Sequence, residues 1–132
     1  MPDVRNILFI MADQLRADYL GCYGHPTLET PNIDALATRG MKFDRAYCNA
    51  AICGPSRMSF YTGRTMASHG CAYNRVPIRT DEWTLSDYMR AEGLRSALVG
   101  KTHFGGNQAD VDRLNLSADD IHGRYVLECG FE

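Results

Sequence analysis

Residues 6–12, Asn6-Ile7-Leu8-Phe9-Ile10-Met11-Ala12, form an unbroken apolar run of strand length that stops at the polar pair Asp13-Gln14. A strand with one wet face alternates apolar and polar residues, whereas a continuous run suits a strand covered on both faces. That is the situation in a parallel sheet with helices on either side. The pattern predicts an α/β chain, a mostly parallel sheet flanked by helices. It puts Asp13 and Gln14 at the carboxyl end of a strand, where ligands bind in open sheets of this kind.

The rest of the chain reads in the same alternating manner. Gly, His and Pro between Gly21 and Thr30 predict a loop, and Thr30-Pro31-Asn32 opens a helix through Ile33, Leu36 and Ala37 that Gly40 caps. A short strand is expected over 42–47. A helix follows from Pro55 and Ser56 to Gly63, then irregular chain over 66–82. A second helix begins at Thr84 or Ser86, with Leu85, Tyr88 and Met89 on one face and Gly93 at its end. Residues 95–100 read as another buried strand, 104–123 as loop and 125–129 as a last strand.

Composition excludes several function classes. The 132 residues are 45% hydrophobic and 23% charged, with 14 Lys plus Arg against 16 Asp plus Glu and a net charge of −2. Such a balance carries no electrostatic footprint for nucleic acid, so an anionic substrate has to be captured by local charge. No apolar run reaches the roughly 20 residues of a membrane span, and residues 1–5 are unlike a secretory leader, so a cytoplasmic location is expected. The five cysteines (22, 48, 53, 71 and 129) are odd in number and contain no Cys-x-x-Cys pair. That argues against a disulfide framework and against a structural zinc site. No feature of the sequence specifies an oligomeric state.

The chemistry concentrates in Cys53-Gly54-Pro55-Ser56-Arg57 and its continuation Thr62-Gly63-Arg64. Pro55 suits the first turn of a helix, which places Cys53 at or just before a helix N-terminus. There the backbone donors and the positive end of the macrodipole favour negative charge on a thiolate, an alkoxide or a bound oxyanion. Arg57 stands one helical turn on and offers a guanidinium fork to tetrahedral oxyanions. This Cys-x-Pro-Ser-Arg pattern resembles the signature of the sulfatase family of the alkaline phosphatase superfamily. The resemblance implies that Cys53 is oxidised after translation, by a formylglycine-generating enzyme, to formylglycine.

Two further motifs follow in the family's order. Asp13-Gln14, with Leu20-Gly21-Cys22-Tyr23-Gly24 after it, resembles the Asp-Asp and Leu-Gly-x-Tyr-Gly stretch of many sulfatases. The Asp-Gln form resembles the branch that holds phosphonate monoester hydrolases and promiscuous arylsulfatases. A carboxylate beside an amide oxygen suits a hard divalent cation, and the resemblance implies that Asp13, Gln14 and the modified Cys53 hold Ca²⁺, Mn²⁺ or Mg²⁺. Gly100-Lys101-Thr102-His103-Phe104-Gly105 resembles the family's Gly-Lys-x-His-x-Gly motif, in which lysine and histidine contact the sulfate and the formylglycine. Alternate residues of an extended segment point to one side, so Lys101 and His103 are expected to converge. Asn74 has a spacing from Cys53 that resembles a substrate-contacting asparagine of the phosphonate branch, although Asn also favours turns. His25, His69, His122 and Cys129 carry no motif.

The resemblance therefore implies that residues 1–132 are the N-terminal portion of a sulfatase catalytic domain with an alkaline-phosphatase-like fold. Cys53, Arg57, Lys101 and His103 would be its catalytic residues, and Asn74, Lys101 and His103 its substrate contacts. The implied activity is hydrolysis of a small sulfuric ester. The alternatives are a phosphonate monoester or phosphodiester hydrolase on the same site, and a catalytically incomplete fragment.

Overall fold

In the computed structural model, which describes residues 6–79, 81–103, 105 and 108–117, the first expected helix forms as Pro31–Arg39 (α1). Pro31 lies in its first turn, Asp34 in the same turn faces the positive end of the dipole, and the Gly40 amide donates to the Leu36 carbonyl at 2.9 Å. The chain divides into two compact units, Met1–Tyr47 and Cys48–Glu132.

In the first unit the chain makes a 3-10 turn at Ala17–Tyr19 and a second, within the segment expected as plain loop, at Gly21–Tyr23. Asp34 explains why. Its Oδ1 accepts from the Cys22 amide at 2.7 Å and from the Thr30 hydroxyl at 2.9 Å, while the Thr30 oxygen accepts from the Gly21 amide at 2.8 Å. A Cβ on Gly21 would run into the Asp34 carboxylate, so only glycine permits this approach. Desolvation works against the Asp34 charge, but the Thr30 hydroxyl and the Cys22 amide together outweigh it and hold the carboxyl below its ordinary range. Tyr23 donates to the Phe43 carbonyl at 2.6 Å, and Lys42 to the Cys22 carbonyl at 3.1 Å, which ties the segment after α1 to the same turns.

The second unit is built on the motif helix, Cys53–Thr62 (α2). Ile52, extended at φ −109° and ψ 138°, is its N-cap, and Gly63 at φ 68° ends it in the left-handed region that glycine enters without strain. Within the stretch expected to be irregular, Met66–His69 (α3) makes one helical turn closed by Gly70 at φ 74°. Met58, Cys71 and Ile78 form the small core, with Tyr61 and Val76 packed on it. Arg64 reaches Glu82 with one nitrogen on both carboxylate oxygens, at 3.1 and 2.9 Å. Thr84 caps Leu85–Ala91 (α4) in a reciprocal capping box with Asp87, whose Oδ2 accepts from the Thr84 amide at 2.8 Å and from its hydroxyl at 2.9 Å.

One expectation needs correction. Part of the 104–123 loop is a helix, Gln108–Arg113 (α5), and its Val111 is fully buried. The Gly-rich flanks obscured one apolar residue among helix-compatible polar ones. The parallel sheet, in turn, has no β-ladder among the described residues. Residues 6–12, 42–47 and 95–100 are non-helical, but Leu8 is 85% and Val99 99% exposed. An apolar run supplies the side chains of a buried strand, whereas a strand itself consists of hydrogen bonds to neighbours. The expected strand over 125–129, His122 and Cys129 lie outside the described residues. No helix among the described residues is long and apolar enough to cross a membrane.

Candidate active site

The motif spacing puts Cys53 in the first turn of α2 and Arg57 one turn further on. Cys53 is half-buried. Its Sγ lies 3.3 Å from Asn74 Oδ1, and the same oxygen accepts the Gly54 amide at 2.8 Å. A Cβ on residue 54 would stand 2.8 Å from that oxygen and 3.0 Å from the His103 carbonyl oxygen. Gly54 is thus the point where α2, the Asn74 turn and the 101–103 segment meet.

The helix start differs from its expected role in one respect. Pro55 has no amide to offer, the Ser56 amide already donates to Ile52 at 2.9 Å, and Asn74 takes the Gly54 amide. The dipole remains, but most of the backbone donors that an oxyanion could use are committed within the protein.

Arg57 is 6% exposed, and its Nη1 donates to the Lys101 carbonyl at 2.6 Å. A buried guanidinium on a backbone oxygen fixes the course of the Lys101 segment as well as supplying charge. Lys101 is exposed and His103 half-buried. The alternation argument for this pair fails at its second member, because His103 takes φ 60°, in the left-handed region, instead of continuing an extended strand. The His103 Nδ1 is enclosed and has no hydrogen-bond partner among the described residues.

Asp13 and Gln14 belong to the Met1–Tyr47 unit, where they form an exposed bend with Gln14 at φ 57°. Both offer oxygen atoms, the donor type a hard divalent cation takes. Among the described residues no group of three or more His, Cys, Asp and Glu side chains is assembled. A carboxylate and an amide are therefore a partial shell for an ion that takes six to eight oxygens as calcium, or six as magnesium. The described cysteines, 22, 48, 53 and 71, are free thiols.

Of the residues carried over from the motifs, Cys53, Arg57, Asn74 and the backbone of Lys101 and His103 come together. Sequence reasoning missed Gly54, whose need is a contact across 20 positions, and it missed His69, buried against Ser59. A histidine before a loop glycine gives no sign of such a partner. Arg64, the end of the extended motif, serves structure by pairing with buried Glu82.

Comparison with known proteins identifies the family. Residues 5–124 match the family model described as Sulfatase. The chain is 38% identical over 98 residues to the ulvan-active sulfatase of Formosa agariphila, covering 74% of this chain and 20% of that one. It is 37% identical over 106 residues to human arylsulfatase A, covering 76% and 21% respectively. Among solved structures, the phosphonate monoester hydrolase of Agrobacterium radiobacter superposes with a TM-score of 0.73 at 31% identity, covering 92% of this chain and 23% of that one. The chain thus spans about one fifth of the length of these relatives.

Proposed function

The chain belongs to the sulfatase family, and on that premise we propose that it carries the nucleophile and part of the anion site of a sulfuric ester hydrolase, arylsulfatase-like in substrate. One observation carries the reading: Cys53, in the first turn of α2, is held by Asn74 while Arg57 one turn on binds the backbone of Lys101. The thiol, a polar clamp and a cationic segment are gathered on one helix start.

Oxidation of Cys53 to formylglycine would supply an oxygen nucleophile, and a divalent cation (Ca²⁺, Mn²⁺ or Mg²⁺), for which Asp13 and Gln14 offer the oxygen donors that the family resemblance implies, would supply the charge that keeps it deprotonated near neutral pH. The chain's own residues do the rest. Asn74 Oδ1 accepts a hydrogen bond from residue 53 and so fixes its side-chain direction, which is the positioning an in-line attack needs. Arg57 holds the Lys101 backbone, and the Lys101 ammonium offsets charge that grows on the transferring group. His103 holds or releases a proton at its enclosed Nδ1 as the enzyme is regenerated. Residues 6–12 and 95–100 are taken, in this reading, as strands of the family's sheet.

A second reading, hydrolysis of phosphonate monoesters, is favoured by the contact of Asn74 with Cys53 and by the likeness to the Agrobacterium enzyme. Assays of the full-length protein with an aryl sulfate and an aryl phosphonate monoester decide between them. The sulfate ester is expected to give the larger kcat/KM, and a preference for the phosphonate reverses the order. Peptide mass spectrometry of residue 53, after co-production with a formylglycine-generating enzyme, tests the premise. An unmodified thiol in a fully active preparation would sink the proposed nucleophile.

A further inference from the structure

His69 sits 7% exposed between two fixed neighbours. The Cys71 amide donates to its Nδ1 at 3.1 Å, and its Nε2 lies 2.8 Å from the Ser59 hydroxyl. A backbone N–H can only donate, so Nδ1 is the bare nitrogen and the proton of the neutral ring is on Nε2, donated to Ser59. Ser59 then directs its own proton to Asn49 Oδ1 at 3.4 Å, and that oxygen also accepts the Met66 amide at 3.0 Å. Every donor in this chain meets an acceptor only while His69 is neutral.

The network and the site share one segment. Residues 69–74 are pinned to α2 twice, by His69 on Ser59 and by Asn74 on Gly54 and Cys53. Six residues of helix separate the two pins, about 9 Å along the axis. Cys71, between them, is fully buried and directs its thiol to the Tyr73 carbonyl at 3.5 Å. We propose that His69 is a positioning residue: in its neutral Nε2–H form it holds this segment along α2 and so keeps Asn74 against residue 53. Its catalytic consequence rests on the reading of residue 53 as the nucleophile.

Protonation at Nδ1 would set a second donor against the Cys71 amide, freeing that end of the segment. The charged groups around the ring are Glu82, which favours the imidazolium, and Arg64, which opposes it and is paired with Glu82. Burial, the largest influence, and Arg64 together outweigh Glu82 and hold His69 below the ordinary histidine range; burial also pushes the Cys71 thiol up, so it stays neutral. The network is therefore intact at neutral pH and opens on the acid side of the usual histidine titration.

The test is hydrogen exchange of the full-length protein, resolved to single amides and corrected for intrinsic rates, in the wild type, His69→Asn and His69→Ala. The Gly54 amide bonds Asn74, so its protection reports the clamp directly. In His69→Ala it is expected to fall about tenfold or more, with kcat falling by a similar factor and KM little changed. Acidification should erode Gly54 protection in the wild type. In His69→Asn, whose amide oxygen accepts from Cys71 without titrating, it should not. Equal acid dependence in those two proteins would overturn the proposal, and they decide the matter even if His69→Ala fails to fold. Unchanged Gly54 protection beside a loss at Cys71 would overturn it too. If the wild type hydrolyses no ester, the functional reading fails while the exchange comparison still decides the role of His69.

Discussion

Asn74 Oδ1 lies 2.8 Å from the Gly54 amide nitrogen, and a Cβ on Gly54 would lie the same 2.8 Å from that oxygen. The polar clamp on residue 53 and the absence of a side chain at residue 54 are thus one feature. The second residue of the motif has to be glycine here because Asn74 closes on it. Gly54→Ala is expected to push Asn74 away, at a cost of about 1–3 kcal/mol in unfolding free energy. Denaturant titration checks the stability, and a variant as stable as the parent would show that the turn yields freely.

Asn74→Ala removes the acceptor and leaves the Gly54 amide buried without a partner, an expected loss of about 1–3 kcal/mol. Turnover should fall more than substrate affinity, because Asn74 orients the residue-53 side chain. Steady-state kinetics separate the two: a change confined to KM would make Asn74 a substrate contact alone.

Arg57→Lys keeps the charge but not the rigid fork that reaches the Lys101 carbonyl. Turnover should drop about tenfold to a hundredfold, with a stability loss of about 1–3 kcal/mol. Retention of wild-type kcat in the lysine variant would reduce Arg57 to a point charge.

Arg64→Ala should separate structure from chemistry in the same motif. It strands Glu82, 8% exposed, whereas Arg64 is half in solvent, so the expected loss is about 1–2 kcal/mol. Below its melting range the variant should keep parental kcat, and a large drop in kcat would bring Arg64 into the site.

The acid limb of stability should report Asp34. Its carboxyl is held below the ordinary value, so the unfolded chain takes up the proton first. The stabilisation is complete above the unfolded value, about 3.9, and is lost as pH falls toward the folded value. Melting temperatures of wild type and Asp34→Asn should differ at pH 6 and converge as pH falls through 4 and below. Parallel curves would contradict the role of Asp34.

The residues whose chemistry is written in local order were legible: Cys53 and Arg57 one turn apart, Pro31 opening α1, Thr84 as one of two expected starts of α4. Helix starts and motif spacing are short-range facts, and α2 and α4 begin where such facts place them. The sheet was less legible, since the apolar run at 6–12 states what would cover a strand and not which chain pairs with it. Lys101 and His103 were expected to alternate as in a strand, and the positive φ of His103 breaks that period. Gly54, Ser59 and His69 matter through contacts 10 to 20 positions away, which no local pattern encodes.

The commitment of the Gly54 amide to Asn74 and of the Ser56 amide to Ile52, with Pro55 offering none, has a consequence for redesigning the proposed anion site. With most of those donors taken by the protein itself, the proposed function leaves discrimination among anions to side chains on the converging loops. Exchanging those loops is then the route to a new leaving group or central atom, and the helix that bears residue 53 can be left untouched.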